Sequence, residues 1–430
     1  MNQELRRKKL NEIEKEGNPY MTGIRIKYEN EMKEFSAFRI PLKYLIYNKY
    51  NGRIGSLVKS FEKQYRELDM EKEEDTKRIE DYLWRSKENR NKLTLKSLVE
   101  DGQQRYGIVT NDGIIIDGNR RACLLNKIYN DRDSHKEDVD HCQYFMAVIL
   151  PKDTSKREIL KLETSYQMGE DEKLDYNAIE KYIKCSDLMV EGFSTGDISK
   201  MMGESKKQIE EWISIFERMK KYLDHLGYDG IYTSLNKREG QFVDLNNYLK
   251  KYEAKQQNAN WSYEDDDIGD LETICFDYIR AQYEGKDFRN IAKTGRDDNS
   301  SIFCNKKIWE PFVNQHFEKL EQIHEESPDE FRKKHPDYEL TRLYEERDKN
   351  WKKNTHDILE NNLRHYSRKL DDIRESREPL KLLKKAKDCL EFIDTDVETF
   401  YSDKKALELV NEINTMTYNF KKIIKKGKNN

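Results

Sequence analysis

The most constraining part of the sequence is residues 105–128, in which a short apolar run leads through a glycine into an amphipathic segment. Residues 114–116 are three isoleucines, and such a β-branched run predicts a buried strand. The Asn-Asp-Gly sequence at 111–113 predicts a hairpin turn, so that residues 108–109 supply the partner strand. We therefore expect a hairpin that runs directly into a helix.

The junction between this strand and the helix has the chemistry of an anion site. Gly118 allows a sharp bend, and the first free amides of the following helix would point at a ligand over that bend. Arg120 and Arg121 add two guanidinium groups, which suit phosphate oxygens. The sequence thus predicts a phosphate-binding bend. The alternative is an ordinary turn followed by solvated arginines.

The order of four motifs along the chain resembles the ParB/sulfiredoxin-like superfamily. The motifs are the opening strand at 38–42, Asn-Gly-Arg at 51–53, Gly-Gln-Gln at 102–104 and Gly-Asn-Arg-Arg at 118–121. The resemblance covers roughly residues 35–225. It implies an α/β domain that binds a nucleoside triphosphate, CTP or ATP with Mg²⁺, followed by a helix-turn-helix. Asn119 stands where sulfiredoxins carry a cysteine, so reduction of sulfinic acids is not expected.

The resemblance and the local sequence together name the candidate site residues. Those assigned to nucleotide or phosphate binding are Asn51, Arg53, Gln104, Asp117, Gly118, Asn119, Arg120, Arg121 and Gln167. The resemblance implies that Glu163 positions magnesium or an attacking water, which makes it the candidate catalytic residue. The segment from Glu163 to Gln167 departs from the family pattern, because Thr164 or Ser165 stands where the family has an asparagine. The alternative for Glu163 and Gln167 is a solvent-facing polar pair on a helix.

A second string, Asp-Gly-Gln-Gln-Arg at 101–105, resembles the signature of another superfamily branch, found beside nuclease domains. It follows a predicted helix and precedes a predicted strand, so it lacks the amide array that phosphate needs. The bend at Gly118 is therefore the preferred site.

Residues 194–218 match a helix-turn-helix. Its inner positions are Ile198, Met201, Met202, Ile209, Trp212, Ile213 and Phe216, with Gly203 at the turn and a capping box formed by Ser205 and Gln208. The candidate DNA-binding residues at the start of the second helix are Lys206, Lys207 and Gln208. Two neighbouring glutamates on the exposed face oppose approach to DNA, so a purely structural role is the alternative.

Length and patterning predict an α+β protein of several parts. These are a charged N-terminal arm at 1–34, an α/β domain at 35–152, a helical domain at 153–250, and a helical region at 270–430. Within 351–375, a seam steps by four and three residues as in a coiled coil. The seam residues are Leu359, Leu363, Tyr366, Leu370 and Ile373. This seam would pair with another protomer or fold back on its own chain, and the basic tail after it is solvated or touches nucleic acid.

Composition limits the class of protein. The formal net charge of −4 gives no global attraction to nucleic acid, so DNA contact would need a local basic surface. The six cysteines show no C-x-x-C spacing, which fits reduced thiols and predicts no metal site. No stretch approaches eighteen apolar residues, so we expect no membrane partner and a cytoplasmic location, on the nucleoid if DNA is bound.

These features predict a bacterial, ParB-like switch that binds a nucleotide, associates with DNA and assembles as a homo-oligomer through its C-terminal helices. Slow hydrolysis by a CTPase or ATPase activity would reset it. One alternative is a nuclease or nucleotide-hydrolysing component of an anti-phage or restriction-like system. The other is a non-catalytic adaptor that recruits a protein partner through the helical C-terminal region.

Overall fold

The computed structural model describes residues 1–135, 138–169 and 177–427. The chain forms two compact units, Met1–Arg364 and His365–Asn430. The first unit contains a six-stranded mixed sheet followed by a mainly helical part, which confirms the predicted α+β class. The predicted boundaries near residues 152 and 250 both lie inside this first unit.

The sheet is built from strands that are far apart in the sequence. The strands are β1 (Met21–Tyr28), β2 (Glu31–Pro41), β3 (Ile46–Tyr47), β4 (Gly107–Val109), β5 (Ile114–Asp117) and β6 (Tyr144–Ile149). Their order across the sheet is β1-β2-β6-β4-β5-β3. β4 runs parallel to β6 and antiparallel to β5, while β3 runs parallel to β5. The predicted hairpin is therefore present, with its strands inside the sheet.

The helices account for most of the remaining chain. They are α1 (Gln3–Lys15), α2 (Gly55–Gln64), α3 (Glu73–Arg85), α4 (Glu88–Asp101), α5 (Asn119–Asn130), α6 (Lys156–Thr164), α7 (Ala178–Val190), α8 (Thr195–Met202), α9 (Lys206–His225), α10 (Glu239–Glu253), α11 (Asp265–Arg280), α12 (Gly285–Ala292), α13 (Lys306–Leu320), α14 (Pro328–Lys334), α15 (Leu340–Glu391), α16 (Glu398–Ser402) and α17 (Lys404–Gly427). A π-helical turn, Ser165–Gly169, follows α6.

The N-terminal segment predicted as a charged arm at 1–34 contains three regular elements. It supplies α1, the whole of β1 and the start of β2. In β1 the buried residues Ile24, Ile26 and Tyr28 alternate with exposed ones, as expected for a strand that covers a core on one face. The charged residues occupy the other face, so a high charge content did not prevent strand formation here.

The helix-turn-helix prediction agrees with the geometry of α8 and α9. Gly203 adopts the left-handed conformation at the turn, and the Ser205 hydroxyl accepts a hydrogen bond from the backbone N–H of Gln208. Ile198, Met201, Met202, Ile209 and Phe216 are buried, and Trp212 and Ile213 are half-buried. The second helix extends to His225, beyond the predicted end at residue 218.

The first half of the predicted seam packs within its own chain. Leu359 and Leu363 are buried, and the Tyr278 hydroxyl on α11 donates to the Leu359 carbonyl at 3.0 Å. Of the two predicted alternatives, folding back therefore describes this half of the seam. Within the described ranges, no helix is long and apolar enough to cross a membrane.

Candidate functional site

The bend after β5 has the predicted geometry. Gly118 adopts φ +96°, a left-handed conformation that favours glycine, and α5 starts at the next residue. A β-carbon at this position would lie 2.6 Å from Cζ of Phe145, which packs beneath the bend. Both the backbone conformation and the close contact therefore require glycine.

The charged residues at the bend make contacts within the chain. Arg121 Nη2 lies 3.0 Å from Asp117 Oδ2, and each side chain is about one fifth exposed. The other terminal nitrogen of Arg121 donates to the carbonyl of Arg105. Arg120 occupies the neighbouring half-buried position. An anion at this bend would thus have to compete with Asp117 for Arg121.

Asn119 is buried at the start of α5 and connects the bend to the loop at 48–53. Its side-chain amide donates a hydrogen bond to the Ile115 carbonyl at 2.8 Å, and its Oδ1 accepts one from the backbone amide of Asn48 at 2.8 Å. Both functions of the side chain are therefore used to hold the strand end and the loop together.

Asn48 extends this hydrogen-bond network to α6 and α7. Its Nδ2 donates to Oε1 of Glu163 at 3.1 Å, and Lys184 Nζ donates to Oε2 of the same carboxylate at 2.8 Å. All three side chains are buried. Burial raises the pKa of Glu163, whereas the charge and hydrogen bond of Lys184 lower it. A paired charge at this depth is costly to leave without its partner.

Gln167 fixes the other end of the same loop. Its Nε2 donates to the Ile116 carbonyl at 2.8 Å, and its Oε1 accepts from the Gly52 amide at 3.1 Å. Gln167 lies in the π-helical turn, a feature that often marks functional positions. Glu163 and Gln167 face the same loop, as their spacing predicted, but they face the protein interior instead of solvent.

The loop ends at a small polar cavity that contains one of the predicted phosphate ligands. Asn51 Oδ1 accepts from the Arg53 amide at 3.0 Å, which shapes the turn before α2. The cavity measures about 200 Å³. Its lining residues are Arg53, Ser56, Leu57, Ser86, Lys87, Asn177, Glu180 and Asn236. Two basic side chains, two hydroxyls and two amides therefore surround a single carboxylate.

Glu180 occupies the amino-terminal end of α2 inside this cavity. Its carboxylate accepts from the Ser56 amide at 3.2 Å and from the Ser56 hydroxyl. Burial raises its pKa to about 7, although the hydrogen bonds from Ser56 and Gly55 act in the opposite direction. An acidic side chain thus already sits where the free amides of a helix start favour negative charge.

Gln104 lies apart from the other predicted phosphate ligands. Its Nε2 donates to the Asp101 carbonyl, and it lines a separate cavity with Tyr20, Arg39 and His141. Neighbouring Gln103 bonds to both backbone groups of Met146 and so ties this segment to β6. The structure therefore groups residues 51–53, 119, 163 and 167, and separates Gln104 from them.

Sequence reasoning missed three residues that complete the site, namely Asn48, Glu180 and Lys184. Glu180 and Lys184 are four residues apart, a spacing that usually indicates an exposed helical ion pair. Here the two side chains instead contact different groups of the α/β part, Ser56 and Glu163. Only an apolar sequence around them, such as Ile183 and Cys185, hinted that this helix is buried.

The predicted DNA-binding residues lie at the start of α9. Lys206 and Lys207 are exposed, and Lys206 Nζ lies 3.6 Å from Glu210 Oε1. Gln208 is half-buried beside the cap. The two lysines are therefore accessible for contact with a phosphate backbone.

A magnesium ion held by the protein does not fit this arrangement. Both oxygens of Glu163 are engaged by Asn48 and Lys184. Among the residues that the structure describes, no group of three or more His, Cys, Asp or Glu side chains is placed to hold a metal.

Comparison with protein-family models, with curated proteins and with solved structures gives no match to this chain. The case for its function therefore depends on the geometry described above.

Proposed function

We propose that this protein is a ligand-controlled switch, in which a phosphate-bearing nucleotide bound by the α/β part alters the position of a DNA-binding helix-turn-helix. The motif order that resembles ParB-like proteins supports a nucleotide such as CTP or ATP as the ligand. The structure supports the proposal through the contacts that join the loop at 48–53 to the helices.

One observation carries the proposal, a continuous buried path that joins the bend and the loop at 48–53, which ends at the cavity beside Arg53, to α7. The backbone amide of Asn48 donates a hydrogen bond to the Asn119 side chain, and the side-chain amide of Asn48 donates one to Glu163. The Glu163 carboxylate in turn accepts a hydrogen bond from Lys184. Each member of the path is buried, so a change at one end cannot be absorbed by water. A path of this kind can couple two sites if its parts have two arrangements.

The helix α7 is shared by the two halves of the proposed switch. On one face, Glu180 and Lys184 contact the α/β part through Ser56 and Glu163. On the other face, Cys185 and Leu188 share an apolar core with Ile198, Met201, Met202 and Ile209 of the helix-turn-helix. A shift of α7 would therefore displace α8 and α9.

The cavity beside Arg53 supplies the proposed ligand contact. Its volume of about 200 Å³ is below that of ordinary ligand pockets, which start near ~300 Å³, so it suits a phosphate group better than a whole nucleotide. Arg53 and Lys87 would attract the anion, and Glu180 would have to move aside or take up a proton. Either change acts directly on α7.

This proposal gives Glu163 a positioning role in place of catalysis. Its buried carboxylate accepts hydrogen bonds from Asn48 and Lys184, and so it holds α7 against the loop at 48–53. Hydrolysis is not needed for the switch, because release of the ligand would also reset it.

Binding of nucleotides to the purified chain tests the ligand. Titration calorimetry with CTP, ATP and GTP, with and without Mg²⁺, should show binding of at least one nucleotide by the wild type. Arg53→Ala should weaken that binding at least tenfold, because it removes a charged donor to phosphate. The control is Arg25→Ala, an exposed arginine on β1, which should leave the affinity unchanged.

A DNA measurement separates the switch from its rivals. Nucleotide should change DNA affinity in the wild type, and the double variant Glu163→Gln with Lys184→Met, which leaves no buried charge, should remove that change by uncoupling α7. A chain that binds no nucleotide, yet still binds a protein partner, would favour the adaptor. Cleavage of DNA without nucleotide would favour the nuclease.

A further inference from the structure

The α/β part contains a second cavity that is larger than the cavity beside Arg53. Its volume is about 470 Å³, against about 200 Å³ for the first. The segment at 41–47, α3, the C-terminal half of α5 and the start of β6 form its walls. Pockets that bind small molecules usually measure ~300–1,000 Å³, so this cavity is large enough for a small molecule.

The lining of this cavity combines apolar and polar groups. The segment at 41–47 and β5 supply apolar side chains, among them Leu42, Leu45 and the buried Ile115. The helices and the start of β6 supply amide and hydroxyl groups, namely those of Thr76, Asn126, Asn130 and Gln143. A ligand that is partly apolar and forms several hydrogen bonds would therefore fit this lining.

Glu80 on α3 supplies the single carboxylate among the described lining residues. Its Oε1 accepts a hydrogen bond from Nδ2 of Asn126 at 2.8 Å, which leaves the negative charge uncompensated because the amide is neutral. The two basic residues that precede Glu80 on α3, Lys77 and Arg78, form ion pairs with other acidic residues of the same helix. A cationic group in the cavity would therefore be attracted to Glu80.

Tyrosine side chains surround this carboxylate. Tyr47, Tyr129 and Tyr144 all line the cavity. Burial raises the pKa of Tyr47 well above its usual value, and the nearby carboxylate of Glu80 acts in the same direction, so the phenol keeps its proton at neutral pH. Because the faces of aromatic rings attract ammonium groups, a carboxylate among tyrosines favours an amine as the ligand.

Lys43 supplies the opposite charge. It is the single basic residue among the described lining residues, and its side chain is exposed, whereas Glu80 is half-buried. Its Nζ lies 5.3 Å from the centre of the Tyr44 ring. The cavity thus offers one charge of each sign at different depths. A ligand with both an ammonium and a carboxylate group satisfies the two charges, whereas a phosphate would be repelled by Glu80.

We propose that this cavity binds a free amino acid, with the ammonium group of the ligand at Glu80 and its carboxylate at Lys43. The amide groups of α5 and Gln143 supply further hydrogen bonds, and the apolar residues of the segment at 41–47 contact the side chain of the ligand. This site does not depend on the proposed nucleotide switch, because the described residues that line the two cavities are different.

The floor of the cavity adjoins the buried hydrogen-bond network. Tyr47 precedes Asn48 in the chain, and the Ile115 carbonyl accepts a hydrogen bond from the Asn119 side chain at 2.8 Å. A bound amino acid would restrain the ends of β3 and β5 that carry these residues. Hydrogen exchange of the backbone amides at 41–48 should therefore become slower when the cavity is occupied.

Binding of amino acids to the full chain tests the proposal. Thermal unfolding with each of the standard amino acids at millimolar concentration should show that at least one of them raises the melting temperature. Titration calorimetry should then give one bound molecule per chain. Glu80→Gln keeps an oxygen that accepts from Asn126 and should weaken the binding at least tenfold. The control is Glu34→Gln, an exposed acidic residue on β2, which should leave the affinity unchanged.

A second variant tests the location of the site without altering a charge. Asn130 is exposed at the end of α5 and lines the cavity, so Asn130→Trp should narrow the entrance, keep the fold and abolish binding. Circular dichroism shows whether each variant is folded. A wild type that binds none of the amino acids, or an affinity that stays unchanged in a folded Glu80→Gln or Asn130→Trp variant, would overturn the proposal.

Discussion

Lys184 and Glu163 form an ion pair inside the protein, with Nζ and Oε2 2.8 Å apart and side-chain exposures of 7% and 1%. The pair joins α7 to the end of α6, and Asn48 links it to the bend at Gly118. The pair thus joins the predicted site residues to α7, which shares an apolar core with the helix-turn-helix.

Breaking this pair should strongly destabilise the fold. Lys184→Met leaves the Glu163 carboxylate buried without its cation, which costs about 3–5 kcal/mol. Urea unfolding measures the loss. The double variant Glu163→Gln with Lys184→Met should recover at least half of it, since no charge is then buried.

An exposed pair provides the matched control. Lys59 also reaches α7, through Asp187 at 2.9 Å, but both side chains are more than a third exposed. Lys59→Met should therefore cost less than about 1 kcal/mol. Equal losses from Lys59→Met and Lys184→Met would contradict our account of the buried pair.

Stability should depend on pH through Glu180. Folding raises the pKa of this carboxyl from 4.5 to about 7, so the protonated form favours the folded state. The stabilisation is complete below pH 4.5 and is lost as the pH rises through 7, by roughly 3 kcal/mol in total.

Glu180→Gln removes this titration while keeping an oxygen that accepts from Ser56. The variant should be more stable than the wild type at pH 8, and the two should converge below pH 4.5. Thermal unfolding across this range provides the measurement. Parallel pH profiles for the two proteins would exclude Glu180 as the titrating group.

Alanine at the bend should be poorly tolerated. Gly118→Ala meets both a left-handed backbone and a contact of 2.6 Å with Phe145 Cζ, so we expect a loss of about 3 kcal/mol or more. Gly192 has φ +80° with nothing within 4 Å of its missing β-carbon, so Gly192→Ala should lose only about 1 kcal/mol. A similar loss at both positions in denaturant titrations would show that the contact with Phe145 is unimportant.

Removal of the lysines at the start of α9 should weaken DNA binding. The variant carrying Lys206→Ala and Lys207→Ala should reduce the slope of log affinity against log salt by about 2, because each lysine neutralises about one phosphate. Fluorescence anisotropy at several salt concentrations measures this slope. Lys27→Ala, at an exposed position of β1, serves as the control. An unchanged slope in the variant that lacks both α9 lysines would exclude this helix from the DNA contact.

The hairpin, the bend and the helix-turn-helix could be predicted because each depends on neighbouring residues. Three isoleucines, the glycine after Asp117 and the cap at Ser205 act over one or two turns of chain, and the structure has each of them where the sequence placed it. The N-terminal strand was missed, although Ile24, Ile26 and Tyr28 alternate with polar residues.

The sequence by itself therefore determined the local elements and the types of side chain that they carry. Only the tertiary structure decided which of these side chains meet, since Asn48 and Glu163 are 115 residues apart and neither local pattern indicates the other. Packing also turned Glu163 and Gln167 inward and enclosed Lys184. The physical reason is that burial and pairing of polar groups depend on the whole core, whereas strand, turn and helix preferences act between residues close in sequence.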